Sequence, residues 1–172
     1  PNDTGVFQPI IFSDEISSLE LGDQIGIFDA NGLISHDCSN SIGEILVGYV
    51  EWSGEQLLVS AISSIDYCHL TDGYELPGFI EDNSIIVKVW DVSEQIEYDA
   101  ELMINQGNGN FEENTLVIIS DICLGEYDEC GDCNGNGPMH QCWDGSIVCD
   151  PFECPDSNLP SPDSFSFNQS VA

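Results

Sequence analysis

The stretch that decides the fold is residues 45–62, which read ILVGYVEW (45–52), SGE (53–55) and QLLVSAI (56–62). Two runs rich in β-branched and aliphatic residues flank a three-residue connection that contains glycine, and this pattern predicts two strands joined as a hairpin. No segment of the chain carries apolar residues at helical spacing over three turns. The sequence therefore predicts an all-β, β-sandwich or jelly-roll-like fold. Similar short apolar runs, separated by Gly, Asn and Asp, occur at 6–12, 25–28, 84–90, 97–104 and 115–120.

Composition divides the chain into three parts. Residues 1–122 hold the apolar runs and are predicted to form the sandwich domain. Residues 123–154 contain six of the eight cysteines and few aliphatic residues, so we expect a small disulfide-bonded appendage without a hydrophobic core. Residues 155–172 are predicted to be a Pro/Ser linker followed by an extended tail strand, because 164–170 alternate polar and apolar side chains.

The charge of the chain excludes several classes of partner. The 172 residues include 32 Asp and Glu but a single Lys or Arg, Lys88, and the formal net charge is −31. Proteins that bind nucleic acid or anionic membranes neutralise phosphates with Lys and Arg, so neither is expected as a partner. Almost no carboxylate can form a salt bridge within the chain. We therefore expect function in ion-rich water, where salt screens the repulsion.

The cysteines predict an oxidising compartment, and with it secretion or display at the cell surface. We predict a bridge between Cys38 and Cys68, the two cysteines of the first domain, which closes a loop of about 30 residues and stabilises by about 3–4 kcal/mol. Free thiols, or a bridge from one of them to the appendage, are the alternatives, as is a zinc site built on Cys130-Gly-Asp-Cys133 with Cys142, Cys149 or His140. The sequence leaves the pairing of the other cysteines open. The complete predicted disulfide set is Cys38, Cys68, Cys123, Cys130, Cys133, Cys142, Cys149 and Cys154.

Several short stretches of the first domain form a recurring combination: LELGDQIGIFD (19–29), GEILVG (43–48), WSG (52–54), KVWD (88–91), EY (97–98) and GNGNF (107–111). Taken together, they resemble an extracellular module common in secreted proteins of marine and Bacteroidetes-like bacteria. The resemblance covers roughly residues 3–122 and implies a β-sandwich displayed outside the cell, often in tandem copies. It brings no catalytic motif and no ligand. In the appendage, DECGDCNGNGP (128–138) and QCWDGSIVC (141–149) resemble the cysteine-rich spacers that join such modules.

Oxygen-bearing side chains interspersed with glycine make the appendage a candidate calcium site. Calcium prefers a flexible cage of oxygen ligands, and the alternation resembles calcium-binding loops such as thrombospondin type 3 repeats. A solvated, turn-rich spacer is the alternative, because Asp, Asn and Gly also dominate ordinary turns. Calcium is the one cofactor that the sequence suggests. The candidate ligands are Asp128, Glu129, Asp132, Asn134 and Asn136.

Aromatic residues offer a second candidate site. Trp52 and Trp90, with Tyr49, Tyr67 and Tyr74 as further candidates, would form a platform on which sugar rings stack if they were exposed, or fill the core if they were not. No nucleophile elbow, metalloprotease or phosphate-binding motif is present, so we predict that the protein is not an enzyme.

The leading functional hypothesis is a secreted structural protein whose copies assemble into a filament by strand addition. Pro9 suggests that 6–12 is an edge strand, so we predict contacts between copies through this strand and the tail. A glycan-binding or adhesive module of a larger secreted protein is the alternative, and a passive spacer is the third. Asn2 and Asn168 lie in glycosylation sequons. The predicted contact residues are Val6, Phe7, Ile10, Ile11, Phe12, Phe165 and Phe167.

Overall fold

The computed structural model describes Pro1 and residues 4–155, which belong to two compact units. The first unit is Pro1–Glu126 and the second begins at Tyr127. The described residues contain strands but no α-helix, so the predicted all-β class is confirmed. None of the described helical segments is long and apolar enough to cross a membrane. Asn2, the linker from residue 156 and the tail with Phe165, Phe167 and Asn168 lie outside the described residues.

The first unit is built on one seven-stranded sheet with the strand order β3-β2-β7-β8-β9-β1-β4. All neighbours are antiparallel except β1 and β9, which are parallel. A separate two-residue ladder pairs β5 with β6. The strands are β1 (Phe7–Phe12), β2 (Gln24–Leu33), β3 (Ile42–Glu51), β4 (Leu57–Ile62), β5 (Ile65–Asp66), β6 (Glu75–Leu76), β7 (Ile86–Asp91), β8 (Ile96–Gln106) and β9 (Val117–Cys123).

The long strand β8 joins two layers of the sheet. Its first half pairs with β7 as far as Ala100, and its second half pairs with β9 from Glu101 onward. Two register irregularities lie in this second half, around Ile104, and such irregularities bend a strand and increase its twist. The sheet folds over until its two edge strands approach each other: a Cβ on Gly48 of β3 would lie 3.1 Å from Val59 Cγ1 of β4. One continuous sheet thus encloses the core.

The predicted hairpin between β3 and β4 is wrong, although both strands exist. β3 pairs with β2, and β4 pairs with β1, at the opposite end of the strand order. The connection at 53–55 is a corner between the layers, because the amide of Trp52 donates to the carbonyl of Asp23 (2.7 Å) and extends the pairing toward β2.

The prediction that β1 is an edge strand is also wrong. β1 lies between β9 and β4, and its side chains Ile10 and Phe12 are fully buried. Pro9 is tolerated because the ladder to β9 begins only at Ile10. Of the predicted contact residues that are described, Val6 and Ile11 are half-buried and Phe7 alone is exposed, at 40%. The strand therefore has no free edge for another copy.

Buried aliphatic and aromatic side chains from both layers fill the core. Phe79 and Phe111 stack at its centre with ring centroids 4.5 Å apart. Two of the buried carboxylates, Asp23 and Asp29, tie loops to this core without any cation. Asp23 accepts from the amides of Glu20 (2.8 Å) and Val92 (3.0 Å). Backbone N–H groups thus stabilise the buried negative charge of these carboxylates, because no Lys or Arg side chain is paired with them.

The second unit contains β10 (His140–Gln141), β11 (Ile147–Val148) and a 3₁₀ turn, Pro151–Glu153. Its apolar side chains are largely exposed, from Ile147 at 58% to Phe152 at 96%. Disulfides Cys130–Cys149 and Cys142–Cys154 cross-link it. This agrees with the expectation of a cross-linked segment without a hydrophobic core.

All eight cysteines are disulfide-bonded, including Cys123 and Cys133, and Cys38 bonds to Cys68 as predicted. The alternatives of free thiols and of a zinc site on Cys130 and Cys133 are wrong, since zinc binds thiolates and both sulfurs are oxidised. The bridges indicate an oxidising, non-cytoplasmic compartment.

Candidate functional site

A shallow trough crosses the outer face of strands β3, β2, β7 and β8 in the first unit. It encloses about 210 Å³, less than the 300–1,000 Å³ that is usual for a closed small-molecule pocket, and it opens to solvent along its length. Its lining combines three aromatic side chains and one aliphatic side chain with three polar ones. The lining residues are Gln24, Gly26, Phe28, Leu46, Tyr49, Lys88, Trp90 and Glu97.

Gly26 forms the floor of the trough. On β2 it stands opposite Tyr49 of β3 on one side and Lys88 of β7 on the other. A Cβ at this position would lie 2.6 Å from Phe28 Cε2 and 3.2 Å from Leu46 Cδ1, so the depression depends on glycine. Glycine within a strand costs stability and often marks a place where a ligand approaches the backbone.

Two exposed aromatic side chains flank this floor. Tyr49 is 53% exposed and Trp90 is 39% exposed. They lie on the strands at either side of β2, with Tyr49 opposite Gly26 and Trp90 opposite Gln24. Two strand spacings and a two-residue offset along the strand place their backbones about 12 Å apart. Two large aromatic faces on one rigid sheet surface, with polar groups between them, suit a flat amphipathic ligand.

Lys88 gives the trough polarity but no net positive charge. Its Nζ is 3.0 Å from both carboxylate oxygens of Glu44 and 4.8 Å from the centroid of the Phe28 ring. The hydrogen bonds to Glu44 raise the pKa of Lys88, with Glu97 and Asp99 nearby adding to the effect, so the ammonium is fully charged at neutral pH. Because this charge is compensated, an anionic ligand finds no free cation here.

The predicted pair Trp52 and Trp90 does not form a platform. Trp90 lies in the trough, but Trp52 is only 3% exposed and packs in the core. Trp52 follows the end of β3, where the chain turns the corner between the layers and its side chain points inward. Tyr67 and Tyr74 also lie elsewhere, as an edge-to-face pair with centroids 5.7 Å apart beside the β5–β6 ladder.

The predicted calcium ligands lie in a loop of the second unit that Asp128 organises. Its Oδ1 accepts from the amides of Cys130 (2.8 Å) and Asp132 (2.9 Å), and its Oδ2 accepts from Gly137 (2.6 Å). Those backbone hydrogen bonds, chiefly the one from the Asp132 amide, lower the pKa of Asp128. The carboxylate thus serves as an acceptor for the loop's own amides, and calcium binding by Asp128, Glu129, Asp132, Asn134 and Asn136 stays a prediction.

This arrangement predicts a local loss of order in the variant Asp128→Ala at neutral pH. Protection of the Cys130, Asp132 and Gly137 amides against hydrogen exchange should fall toward that of unstructured peptide. In the native protein the lowered pKa means that the carboxylate's contribution is complete above about pH 4 and is lost as the pH falls further. Asp144→Ala is the control, since it should change only the turn at Ser146. Unchanged protection in Asp128→Ala would contradict the assignment.

Sequence reasoning singled out Trp90 and Tyr49 but missed the rest of the trough. The alternation of Gln24, Gly26 and Phe28 with the buried Ile25 and Ile27 was the available signal, because it indicates that one face of β2 has little bulk at its centre. It could not show that β3 and β7 are the neighbours of β2.

Comparisons with protein families, curated proteins and solved structures give no match for this chain. The described residues define an all-β, disulfide-bonded protein that carries an aromatic trough on the outer face of its sheet.

Proposed function

We propose that the protein is a carbohydrate-binding module of an extracellular protein and that the trough on β3, β2, β7 and β8 is its binding surface. The observation that carries this proposal is the placement of exposed Trp90 and Tyr49 on either side of the Gly26 floor. Aromatic rings stack on the apolar faces of sugars, while side chains such as Gln24 and Glu97 at the rim hydrogen-bond hydroxyl groups.

Charge restricts the ligand to neutral glycans. The chain carries a formal net charge of −31, and the ammonium group in the trough is paired with Glu44. Uronic-acid-containing or sulfated polymers would meet repulsion over the whole surface without a local cation to offset it. The open shape of the trough favours internal stretches of a chain over a single enclosed sugar.

A glycan array tests the proposal. Linear neutral glucans, xylans and mannans are printed beside uronic-acid-containing and sulfated polymers, and the full chain is applied in buffered 0.5 M salt. We expect binding to at least one neutral polymer and none to the acidic set. Binding confined to acidic glycans, or to none of the printed polymers, would contradict the proposal.

Assembly by strand addition is the second candidate, with β3 as the acceptor in place of β1. β3 is an edge strand of the described sheet and is longer than β4: Gly48 lies against Val59 and Ser60, so β4 ends near the level of Leu46. The stretch from Ile42 to Leu46 pairs with β2 on one side and has no described strand on its other side, and the side chains of Ile42 and Leu46 are exposed. Such an edge offers backbone donors and acceptors to an added strand.

Removal of residues 164–172 should then abolish assembly, because these residues carry the alternating pattern of the predicted donor strand. The native chain should form oligomers whose mass, measured by light scattering, grows with sodium chloride as repulsion between copies is screened. When residues 164–172 are added as a free peptide to the chain that ends at residue 163, the mass of the oligomers should rise again. A monomeric native chain at high salt would contradict this second candidate and would leave the carbohydrate proposal unaffected.

A further inference from the structure

Glu75 is the one buried carboxylate of the described residues whose hydrogen bonding is incomplete. Its side chain is 1% exposed, and its Oε2 has no partner, while Oε1 accepts only from the amide of Asn40 at 3.3 Å. The other two buried carboxylates, Asp23 and Asp29, have partners on both oxygens. A buried carboxylate oxygen without a donor is costly, so it indicates a missing ligand.

No lysine or arginine supplies a positive charge at Glu75. Lys88 is the single Lys or Arg in the sequence, and it lies on the outer face of β7, bonded to Glu44. Among the described residues Glu75 accepts from the backbone amide of Asn40 and from no cationic side chain, so a cation from solution is the partner to consider.

A second carboxylate lies beside that of Glu75. Asp66 stands directly opposite Glu75 in the β5–β6 ladder, and oxygens of the two side chains lie within 4.8 Å of each other. Oxygens that bind one calcium ion at 2.3–2.6 Å can lie at most about 5.2 Å apart, so both carboxylates are close enough to bind the same ion. Asp66 is exposed, which leaves a path for entry from solvent.

The chemistry of the pair selects a hard cation. Cys68 Sγ also lies within 4.8 Å, but it is bonded to Cys38 and offers no thiolate, so a zinc or copper(I) site is excluded. Two carboxylates, with water or main-chain oxygens in the remaining positions, suit calcium, which accepts irregular oxygen cages. Magnesium demands a stricter octahedron and gives up its water reluctantly.

Covalent and hydrogen-bonded supports hold the two carboxylates in place before an ion arrives. The Cys38–Cys68 disulfide ties the loop that carries Asn40 to the end of β5, and the amide of Tyr67 donates to the carbonyl of Tyr74 (2.8 Å). The amide of Cys68 donates to Asp66 Oδ1 at 2.9 Å and fixes that side chain. Preorganisation of this kind lowers the entropy cost of binding.

We propose that Asp66 and Glu75 form a calcium site that locks the β5–β6 ladder to the disulfide-bonded loop. The site is distinct from the Asp128 loop, and it does not depend on the carbohydrate proposal.

Terbium binding and thermal unfolding test the site on the full chain after chelation. Tyr67 and Tyr74, the chain neighbours of Asp66 and Glu75, can sensitise terbium luminescence, and calcium should displace the ion. Calcium should also raise the melting temperature in a concentration-dependent way, whereas magnesium at the same concentration should not. In Glu75→Gln and Asp66→Asn the calcium affinity should fall by about tenfold or more. Asp128→Asn is the matched control and should retain both the luminescence and the shift.

Three results would overturn the proposal. One is a melting temperature of the native chain that does not respond to calcium. Another is loss of the terbium signal in Asp128→Asn but not in Glu75→Gln, which would assign the ion to the second unit. The third is a Glu75→Gln variant that melts at a higher temperature than the chelated native chain and still responds fully to calcium. That result would identify Glu75 as a neutral buried acid.

Discussion

Replacement of Asp29 by alanine is expected to lower the free energy of unfolding by about 3–5 kcal/mol. Asp29 is fully buried in β2 and accepts from the amide of Ile80 (2.9 Å), the amide of Asn31 (2.8 Å) and the side-chain amide of Asn83 (2.9 and 3.0 Å). The substitution leaves these donors without an acceptor and detaches the loop before β7 from β2. Chemical denaturation monitored by tryptophan fluorescence measures the change.

Asp99→Ala is the matched control for Asp29→Ala, because it removes one negative charge from the same sheet at an exposed position. Its free energy of unfolding should stay within about 0.5 kcal/mol of the native value. If both variants lost the same stability, the effect would come from charge or strand propensity, and the role of Asp29 as a buried acceptor would be refuted.

Replacement of Trp90 by alanine is expected to weaken binding of a neutral oligosaccharide by about thirtyfold or more, equal to about 2 kcal/mol. The side chain is one of the two exposed aromatic faces of the trough, and alanine removes the surface on which a sugar ring would stack at this position. Tyr49→Ala should cause a smaller loss in the same direction. Isothermal titration with the best oligosaccharide from the array measures both affinities.

Trp143→Ala is the control that distinguishes loss of the trough surface from a general effect of removing a tryptophan. Trp143 is 63% exposed and lies in the second unit, so its replacement should leave the affinity unchanged. Trp90→Ala should keep the native unfolding midpoint, because the side chain lies outside the core. If the affinity fell in Trp143→Ala but stayed at the native value in Trp90→Ala, the trough would not be the binding surface.

Strand positions were predictable from sequence because they depend on local alternation. The runs at 84–90 and 97–104 correspond to β7 and β8 within a few residues. Strand partners were not predictable, since they depend on how the whole sheet closes. The corner at 53–55 has the composition of a hairpin turn, yet the pairing of Trp52 with the Asp23 region sends β4 to the opposite edge.

The candidate sites were likewise predictable where they depend on local sequence and not where they depend on tertiary structure. The Cys38–Cys68 bridge was predictable because residues 1–122 contain only these two cysteines, and both are well separated in sequence from the six that begin at Cys123. Trp52 and Trp90 each follow a strand-like run and look alike in sequence, but one turns into the core and the other faces solvent. The burial of Glu75 could not be predicted from local sequence. It depends on the loop that carries Asn40, which the Cys38–Cys68 disulfide holds beside the β5–β6 ladder.

The most direct test of carbohydrate binding by the trough is a nitrogen–proton correlation spectrum of the full chain. The sequence has three tryptophans, so three indole N–H signals are expected and can be assigned by the single substitutions. On titration with a neutral oligosaccharide selected on the array, the Trp90 signal should move in proportion to occupancy, while those of the buried Trp52 and of Trp143 in the second unit stay in place. A ligand that binds without moving the Trp90 signal, or that moves the Trp143 signal instead, would contradict the account.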